Sequence, residues 1–494
     1  MMKEWTRKER YRTILEVSKE EIDEVKNVVD NCPYRQMFHI QPTTGLLNDP
    51  NGFSHYNGEY HLFYQWFPLG PVHGIKHWYH LSSKDLVNWK DCGVGIIPNN
   101  KFDSHGAFSG SGLVENNKLY LFYTGNTRNE NWDRHPYQCL AIMDSEGNIT
   151  KHNEAIIREV PSGYTDNFRD PKVFMEDGKY YCLIGAERRE ENLGTIVYYE
   201  SEDLFNWTFR GEVKSSFIGN GFMWECPDYL KFDNNGVIIF SPQGLEPQGD
   251  KYKNIFQSGY IIGDKINFDN GEFNHGEFNE LDRGFDFYAP QTTEDENGRK
   301  ILVAWMGLPE IEYPTDKNGW AHCLTIPREL KLVRNKLIQE PVKEMELLRG
   351  VERKETFSLN NEEKEIEGFS ENVYEVICNL SEFDGEYVGI KLRKGIDEET
   401  IFYYDIKDKK LVLDRSKSGN DFATEYGVMR KCVYSGDDLR LRIFVDVSSV
   451  EIFVNDGEEV FTSRIFTSIE SNGISVFSDK NVKVEMSMFA LDKI

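Results

Sequence analysis

One segment near the start of the chain holds an acid in a fixed position. Asp49 lies in the segment Gly45–Gly52, between an asparagine and a proline. Pro50 fixes its own φ and favours an extended conformation at Asp49, and the Asn51-Gly52 pair that follows predicts a tight reversal. A carboxyl group on such a constrained backbone has a defined orientation, unlike one on a flexible loop. We therefore interpret Asp49 as a candidate nucleophile.

Two further acids occur in similar surroundings. Asp170 lies between an arginine and a proline, and Glu225 precedes a cysteine and a proline. Cleavage of a glycosidic bond commonly uses two carboxyl groups, one ionised and attacking, the other protonated and donating to the leaving oxygen. Burial and neighbouring negative charge can separate the two pKa values. Glu225 is then the candidate acid.

The third carboxylate has two possible uses in this chemistry. Asp170 would add negative charge near Glu225, and it could also bind vicinal hydroxyls of a sugar, with Arg169 holding it ionised. If Asp49 and Glu225 lie about 5 Å apart, the reaction retains configuration through a covalent intermediate. Taken alone, each acid is compatible with an ordinary turn or a structural carboxylate.

A repeat in the sequence predicts how three distant acids meet. Five strongly β-prone runs have starts that lie 59, 61, 57 and 64 residues apart, each preceded by a turn signal of Gly, Asn or Asp. They are Tyr60–Tyr64, Leu119–Tyr123, Tyr180–Ile184, Val237–Phe240 and Ile301–Trp305. The segment Ser83–Trp89 also recurs as Ser201–Trp207, two repeat lengths later. Equal β-rich units without helices between them predict a five-bladed β-propeller with about four strands in each blade. A two-sheet sandwich would not require so constant a period.

Polar or aromatic residues with Pro or Gly stand about ten residues before each run. In chain order these are Asn48-Asp49-Pro50, Phe108-Ser109-Gly110, Arg169-Asp170-Pro171, Glu225-Cys226-Pro227 and Tyr288-Ala289-Pro290. Equivalent positions of propeller blades converge around the axis, so we expect the three acids to face one pocket. Neighbouring aromatic rings could pack against the C–H faces of a sugar, and flanking polar groups could bind its hydroxyls.

The two ends of the chain differ from this repeat. Residues 4–30 are predicted as a helix, with a capping box from Ser18 to Glu21, and Pro33 ends it. Beyond about residue 345, alternating strands and the hairpin signal Asn455-Asp456-Gly457 predict a second all-β unit.

The predicted fold is therefore all-β with three parts. They are an N-terminal helical segment (1–32), a five-bladed β-propeller catalytic domain (33–345) and a C-terminal β-sandwich (355–494). The sandwich could be a dimer surface or only a brace, so a homodimer remains one possibility.

Composition excludes several classes of partner. The 494 residues carry a net charge of −26 and no long basic run, which argues against nucleic acid and anionic membranes. Neither a signal peptide nor an apolar run of membrane-spanning length is present, and the eight cysteines show no C-x-x-C spacing. We expect reduced thiols, a cytoplasmic location and a small-molecule sugar substrate. Metal-binding histidine motifs and glycine-rich phosphate loops are absent from the sequence, so we predict no metal and no cofactor.

The motifs resemble those of glycoside hydrolase family 32, which includes invertases, fructan hydrolases and sucrose-6-phosphate hydrolases. Besides the segments around the three acids, the resemblance is carried by shorter matches over about residues 33–494. These are His39–Pro42, Tyr64-Gln65-Trp66, Phe108–Ser111, Phe285–Gln291, Val303–Met306 and Asp446–Phe453. The resemblance implies a propeller plus a sandwich, and retaining hydrolysis of terminal β-D-fructofuranosides.

Roles for individual residues follow from the resemblance. Asp49 would be the nucleophile, Glu225 the acid/base and Asp170 the transition-state stabiliser that binds fructosyl hydroxyls. The substrate-binding residues would be Asn48, Leu46, Leu47, Gln65, Trp78, Phe108, Ser109, Arg169, Tyr288 and Trp305.

Two positions depart from the family pattern. Tyr79 replaces the usual glycine of Trp-Gly-His, which could narrow or reshape the rim of the pocket, and Leu46-Leu47 replaces Trp-Met. The latter resembles the bacterial intracellular branch and favours sucrose or sucrose 6-phosphate as substrate. Two alternatives stay open. One is exo-hydrolysis or fructosyl transfer on short fructans, and the other is a carbohydrate-binding propeller without catalysis.

Overall fold

Five blades surround a central axis, and a curled β-sheet follows them, in a computed structural model that describes residues 3–217 and 221–492. The outermost residues of both predicted terminal segments (1–2 and 493–494) lie outside the described part. The predicted all-β propeller followed by a β-sandwich is confirmed. No helix in the described part of the chain is long and apolar enough to cross a membrane.

Each blade is an antiparallel meander that runs from the axis outwards. Blade I contains β1 (Gly45–Tyr56), β2 (Glu59–Phe67), β3 (His77–Ser83) and β4 (Trp89–Ile96). Blade II contains β5 (Ala107–Glu115), β6 (Lys118–Arg128), β7 (Arg134–Met143) and β8 (Ile149–Lys151). Blade III contains β9 (Tyr164–Glu176), β10 (Lys179–Arg188), β11 (Leu193–Ser201) and β12 (Thr208–Glu212).

The last two blades close the ring. Blade IV contains β13 (Met223–Phe232), β14 (Asn235–Gln243), β15 (Gly259–Asp264) and β16 (His275–Glu280). Blade V contains β17 (Tyr288–Glu294), β18 (Lys300–Met306), β21 (Arg328–Val333) and β22 (Lys336–Pro341), and the short β20 (Cys323–Leu324) also pairs with β18. The two-residue strand β19 (Trp320–Ala321) pairs in parallel with β1 and joins the last blade to the first.

The five β-prone runs all became the second strand of a blade, where both faces are buried between neighbouring blades. In β6, for example, Leu121 and Tyr123 pack against blade I, whereas Tyr120 and Phe122 pack against blade III. Strands buried on both faces read as continuous apolar runs instead of alternating ones. This packing explains why the repeat was visible in the sequence.

The hairpin before each run uses residues that tolerate positive φ. Asn57 and Gly58 have φ of 53° and 78°, as a tight turn between twisted strands requires. In blade IV the turn lies two residues earlier than the sequence predicted. Phe232 pairs with Asn235, so Asp233 (φ 43°) is in the turn and Asn235-Gly236 already belongs to β14.

The predicted reversal at Asn51-Gly52 is wrong, because β1 continues through it. The pairing with β2 shifts between Asn51 and Ser54, so the segment is a β-bulge. Gly52 has φ of 56°, and a Cβ there would lie 2.9 Å from the side chains of Leu121 and Phe63. A glycine is therefore needed at position 52 because the bulge has a positive φ there and packs closely against blade II.

The N-terminal helix is shorter and more interrupted than predicted. Instead of one helix over 4–30, the chain forms α1 (Arg7–Arg10), a 3₁₀ turn (Ile14–Glu16) and α2 (Lys19–Asp30). The predicted capping box at α2 is confirmed, since Glu21 N donates to Ser18 Oγ and Ser18 N donates to Glu21 Oε2, both at 3.2 Å. Similar capping at Thr6 and Thr13 starts the two earlier turns separately.

The C-terminal unit is a sandwich whose two layers belong to one sheet. Its first five strands are β23 (Arg353–Glu365), β24 (Tyr374–Ser381), β25 (Tyr387–Lys394), β26 (Glu399–Asp405) and β27 (Lys410–Lys417). The others are β28 (Met429–Val433), β29 (Leu439–Asp446), β30 (Ser449–Val454), β31 (Glu459–Arg464) and β32 (Gly473–Ala490). The long β32 pairs with β25 as far as Ser478 and with β24 from Lys483, so it passes from one layer to the other. Three further 3₁₀ turns lie at Asp316–Asn318, Lys343–Leu348 and Thr424–Tyr426.

A buried network of charges joins the propeller to the sandwich. His39 contacts Asp446 at 2.8 Å and Glu451 at 3.0 Å, and Arg328 contacts the same glutamate at 2.6 Å and Asp282 at 3.1 Å. All five side chains are fully buried. Burial alone would lower the pKa of His39, but the two carboxylates raise it to about 9, which keeps the ring charged at neutral pH.

Candidate active site

The innermost strand of every blade carries a β-bulge at the same height. On β1, Asn48 and Asp49 stand opposite the single residue Gln65, because the pairing shifts between Leu47 and Pro50. The same two-against-one arrangement occurs on the innermost strands of the other four blades. A bulge re-aims the side chains at its position, so five bulges turn one ring of residues towards the axis.

The three acids use different positions of this bulge. In the strand register, Glu225 is the last paired residue before the bulge, Asp170 is its first residue and Asp49 its second. The three acids therefore do not occupy the strictly equivalent positions that we expected. Relative to the bulge, Asp170 lies one residue further along its strand than Glu225, and Asp49 lies one residue further than Asp170. Asp170 reaches its place with a φ of 68°, an uncommon conformation for a residue other than glycine.

Asp49 is surrounded by polar donors. Asn48 donates to Oδ1 at 3.0 Å, Gln65 donates to Oδ2 at 3.3 Å, and the Ser109 hydroxyl makes a short hydrogen bond to Oδ2. Gln65 also contacts Asn48 at 2.9 Å and Ser109 at 2.6 Å. Because Gln65 is hydrogen-bonded to both of the other donors, the network fixes the orientation of the Asp49 carboxylate before any substrate binds.

Asp170 lies next to Asp49 across Cys226. The Cys226 thiol is 3.7 Å from an oxygen of each aspartate, and its backbone N–H donates to Asp170 Oδ2 at 3.0 Å. The backbone N–H of Asp170 donates to Thr124 Oγ1 at 2.9 Å. The two aspartates therefore face the same small volume, as the repeat predicted.

Glu225 is held by three donors from three elements. Arg169 contacts Oε1 through Nε at 2.8 Å and Nη2 at 2.7 Å, while Gln243 and Tyr288 donate to Oε2 at 2.9 and 2.7 Å. The side chain of Glu225 is 17% exposed. The carboxylate is therefore partly exposed to solvent although its orientation is fixed.

Electrostatics couple the three carboxyl groups. Burial and the charge of Glu225 raise the pKa of Asp49. Burial raises the pKa of Asp170 to about 7, and the charges of Glu225 and Asp49 add to this rise while Arg169 opposes it. Such shifts are typical of catalytic carboxyl groups that share a pocket.

Arg169 does not have the partner that the sequence predicted. Its guanidinium binds Glu225 and Asn167, and it affects Asp170 only through its charge. The side chain is 11% exposed. Arg169 is still paired with Gly185, whereas Asp170 begins the bulge with a φ of 68°, so the regular alternation of side chains along the strand is interrupted between them.

Several predicted substrate-binding residues lie together around the acids. Asn48, Gln65, Ser109, Arg169 and Tyr288 all contact one of the three carboxylates directly. Phe108 is half-buried and adjoins Ser109, and Trp78 Nε1 donates to the Phe108 carbonyl at 3.0 Å. These groups form a polar wall with an aromatic rim, which suits a small polyol ring.

Other predicted residues lie deeper in the protein. Leu47 and Trp78 are fully buried in the packing between blades, and Leu46 lines a cavity of about 1110 Å³ beside the N-terminal segment. Trp305 is almost fully buried, and its indole N–H has no hydrogen-bond partner in the described part of the chain. Direct contact of these four side chains with a sugar stays a prediction.

Tyr79, which replaces the usual glycine, lies away from the pocket. It follows Trp78 on β3 and therefore points to the opposite face, where it stacks on Tyr64 and donates to Asp91 at 2.8 Å. The expected narrowing of the rim by Tyr79 is not what the structure shows.

Sequence reasoning missed Lys76, a buried cation beside the nucleophile candidate. Its ammonium group donates to Asn48 Oδ1 at 2.7 Å and contacts His73 at 3.0 Å. Burial lowers its pKa to about 7, although the charge of Asp49 opposes this. The residue precedes β3 in a loop without periodicity, so only the fold brings it to the site. Gln243, the last residue of β14, and Cys226, which follows Glu225 on β13, were also not identified as site residues.

We expect Lys76→Met to lower kcat/KM by about tenfold or more, because Asn48 loses a charge-assisted partner. The charge of Lys76 lowers the pKa of Asp49, so its removal raises that pKa. The acid limb of the pH profile of kcat/KM therefore moves to higher pH. Lys84→Met removes the same charge from an exposed position and should leave the profile in place. An unchanged acid limb in Lys76→Met would contradict this role.

No group of three or more His, Cys, Asp or Glu side chains within residues 3–217 and 221–492 is arranged to hold a metal ion.

Comparison with known proteins places both parts of the chain in one family. The model for the glycosyl hydrolases family 32 N-terminal domain matches residues 39–341, and that for the family 32 C-terminal region matches residues 344–490. A sucrose-6-phosphate hydrolase of Staphylococcus xylosus is 45% identical over 97% of this chain and 96% of its own.

Solved structures agree with this assignment. A sucrose-6-phosphate hydrolase from Lactobacillus gasseri matches with a TM-score of 0.93 and 39% identity, over 99% of this chain and 100% of its own. A family 32 β-fructofuranosidase of Bombyx mori matches with a TM-score of 0.83 and 31% identity, over 96% and 97% of the two chains. The chain therefore belongs to glycosyl hydrolase family 32 and is a hydrolase of β-fructofuranosides.

Proposed function

We propose that this enzyme hydrolyses sucrose 6-phosphate to fructose and glucose 6-phosphate, with Asp49 as nucleophile and Glu225 as acid/base. The arrangement of three acids around one pocket carries the proposal for the chemistry. The names of the similar proteins from Staphylococcus xylosus and Lactobacillus gasseri support the phosphorylated substrate.

In the first step, one carboxylate oxygen of Asp49 attacks the anomeric carbon of the fructosyl unit. The bond to the bridging oxygen breaks, and Glu225 gives its proton to that oxygen, so the glucose moiety leaves as an alcohol. The fructosyl unit remains bound to Asp49 as an ester. The donors around Asp49 fix its orientation, which lowers the cost of reaching the attacking geometry.

In the second step, water replaces the leaving sugar. Glu225, now ionised, takes a proton from water while the oxygen attacks the same carbon, and Asp49 leaves as a carboxylate. Asp170 binds fructosyl hydroxyls beside the reacting carbon in both steps. Two displacements on one carbon give net retention of configuration.

Substrate preference tests the proposal directly. We expect kcat/KM for sucrose 6-phosphate to exceed that for sucrose by about tenfold or more, since hydrogen bonds to a charged group contribute more than those to a neutral hydroxyl. Equal or better hydrolysis of sucrose would make sucrose the substrate. Faster turnover of 1-kestose or inulin would instead favour a fructan exo-hydrolase, and transfer products in concentrated sucrose would reveal a fructosyltransferase.

We place this activity in the cytoplasm. All eight cysteines are free thiols, and seven of them are at least partly buried, which fits a reducing compartment. The proposed substrate also carries a charged phosphate, which prevents a sugar from crossing the membrane and so retains it in the cell. The partner is thus a small sugar, and a homodimer through the sandwich stays a proposal for measurement by light scattering.

A further inference from the structure

Two arginines face each other on the rim of blade II. Arg128 ends β6, Arg134 begins β7, and the two residues are directly opposite in the strand register. Like charges at opposite positions destabilise a β-sheet, and neither side chain has an ion-pair partner among the described residues. In a chain with a net charge of −26, acidic partners are abundant. The uncompensated pair therefore points to a role other than folding.

Both guanidinium groups keep donors free for a ligand. The Nε of each arginine is buried without a hydrogen-bond partner in the described part of the protein. Arg128 Nη1 donates to the Trp132 carbonyl at 3.1 Å, and the Arg134 guanidinium lies 5.5 Å from the centre of the Phe108 ring. These contacts position the two groups while most of their N–H bonds remain unused.

The pair adjoins the end of the pocket where the leaving sugar must lie. Glu225 protonates the leaving oxygen in the proposed mechanism, so the leaving sugar lies beside Glu225. Arg134 is within electrostatic reach of that residue: burial and the charges of Arg169 and Arg128 lower the pKa of Arg134 to about 10, and the charge of Glu225 opposes this. Phe108, under the Arg134 guanidinium, directly precedes Ser109 of the Asp49 network.

The N-terminal segment braces this corner of the rim. The Tyr11 ring meets Trp132 edge to face at 5.1 Å, and His105 meets the same indole at 5.3 Å. The Arg7 guanidinium lies 4.1 Å from the centre of the Trp132 ring. The turn that carries both arginines is thus held by aromatic packing, as expected for a preorganised site.

We propose that Arg128 and Arg134 form the subsite for the phosphate of the leaving-group sugar. The inference rests on the proposed function and extends it to named residues. A phosphate monoester offers three acceptor oxygens and up to two negative charges, and arginine forks bind such groups bidentately. Binding also cancels the repulsion between the two arginines, a gain that a neutral sugar cannot provide. The subsite thereby overcomes the repulsion of phosphate by the acidic protein as a whole.

The test compares substrate ratios in charge-matched variants. We measure kcat/KM for sucrose 6-phosphate and for sucrose at fixed ionic strength in wild type, Arg128→Gln, Arg134→Gln and the double variant. We expect the ratio to fall about tenfold or more in each single variant and further in the double variant. Arg210→Gln removes the same charge from the outer strand β12, where the side chain is 40% exposed, and should leave the ratio unchanged.

Two further measurements separate a binding role from a structural one. Glucose 6-phosphate should inhibit the wild type more strongly than glucose, and this advantage should disappear in the double variant. Melting temperatures of the arginine variants should equal or exceed that of the wild type, since like charges are removed. Lower melting temperatures together with an unchanged substrate ratio would show that the pair is structural and would overturn the inference.

The outcomes distinguish the two proposals. If the wild type shows no preference for the phosphorylated substrate, the proposed substrate is wrong and the subsite falls with it. If the wild type prefers sucrose 6-phosphate but the arginine variants keep that preference, only the subsite is wrong. Added salt should weaken the preference of the wild type more than that of the double variant.

Discussion

Asp49→Asn will lower kcat for β-fructofuranoside hydrolysis by about 10⁴-fold or more, because it removes the proposed nucleophile, the group expected to form the bond to the sugar. The amide has the same shape as the carboxylate, so the packing against Ser109 and Gln65 is disturbed little. Initial rates with sucrose and sucrose 6-phosphate measure the effect. Binding of substrate should persist, since only the attacking oxygen is lost.

A matched variant excludes a general effect of losing one negative charge. Asp269→Asn makes the same exchange at an exposed position and should keep the full rate. Burial of Asp49 as an anion opposes folding, because its pKa is raised in the folded protein. The inactive Asp49→Asn protein should therefore melt no lower than the wild type at neutral pH. If Asp49→Asn kept activity near the wild-type level, Asp49 could not be the nucleophile.

Glu225→Ala will have the second largest effect, and its size will depend on the leaving group. General acid–base catalysis contributes about 10²–10⁴-fold, so hydrolysis of sucrose should fall by an amount in this range. An aryl β-fructofuranoside, whose phenol leaves without prior protonation, should lose much less in the first step. The fructosyl enzyme should then accumulate, because the base for the second step is absent.

Azide provides the decisive measurement for Glu225. This anion needs no base, so it should restore turnover of the aryl substrate in Glu225→Ala and give a fructosyl azide of retained configuration. Asp49→Ala should give no product of this configuration, because the first displacement is missing. Equal losses for sucrose and the aryl substrate would show that Glu225 does not act as the acid.

The sequence was sufficient to predict the propeller because its signal is local and repeated. Each second strand, such as Leu119–Tyr123, is buried on both faces and follows a turn residue with positive φ. These properties follow from neighbouring residues, so they recur with the period of the blade. The same regularity brought Asp49, Asp170 and Glu225 to one axis.

Other features depend on contacts between distant residues, which the repeat in the sequence does not reveal. The one-step offset of the three acids arises from bulges, which are defined only by the partner strand. Lys76 lies in a loop, and its role comes from the position of Asn48. Arg128 and Arg134 are six residues apart in sequence, yet only the pairing of β6 with β7 makes them opposite. The long N-terminal helix was overestimated because three capping signals divide it.

The buried charges between propeller and sandwich bear on how this protein can be shortened. Removing the C-terminal unit would leave His39 and Arg328 without Glu451, and breaking a buried pair from one side costs about 3–5 kcal/mol. Glu451 also accepts a hydrogen bond from Ile326, just before the last blade resumes. A truncated propeller would keep all three candidate catalytic carboxylates but would lose the contacts of Glu451 with His39, Arg328 and Ile326. Premature stop codons far downstream of the chemistry should therefore be as harmful as changes in the pocket.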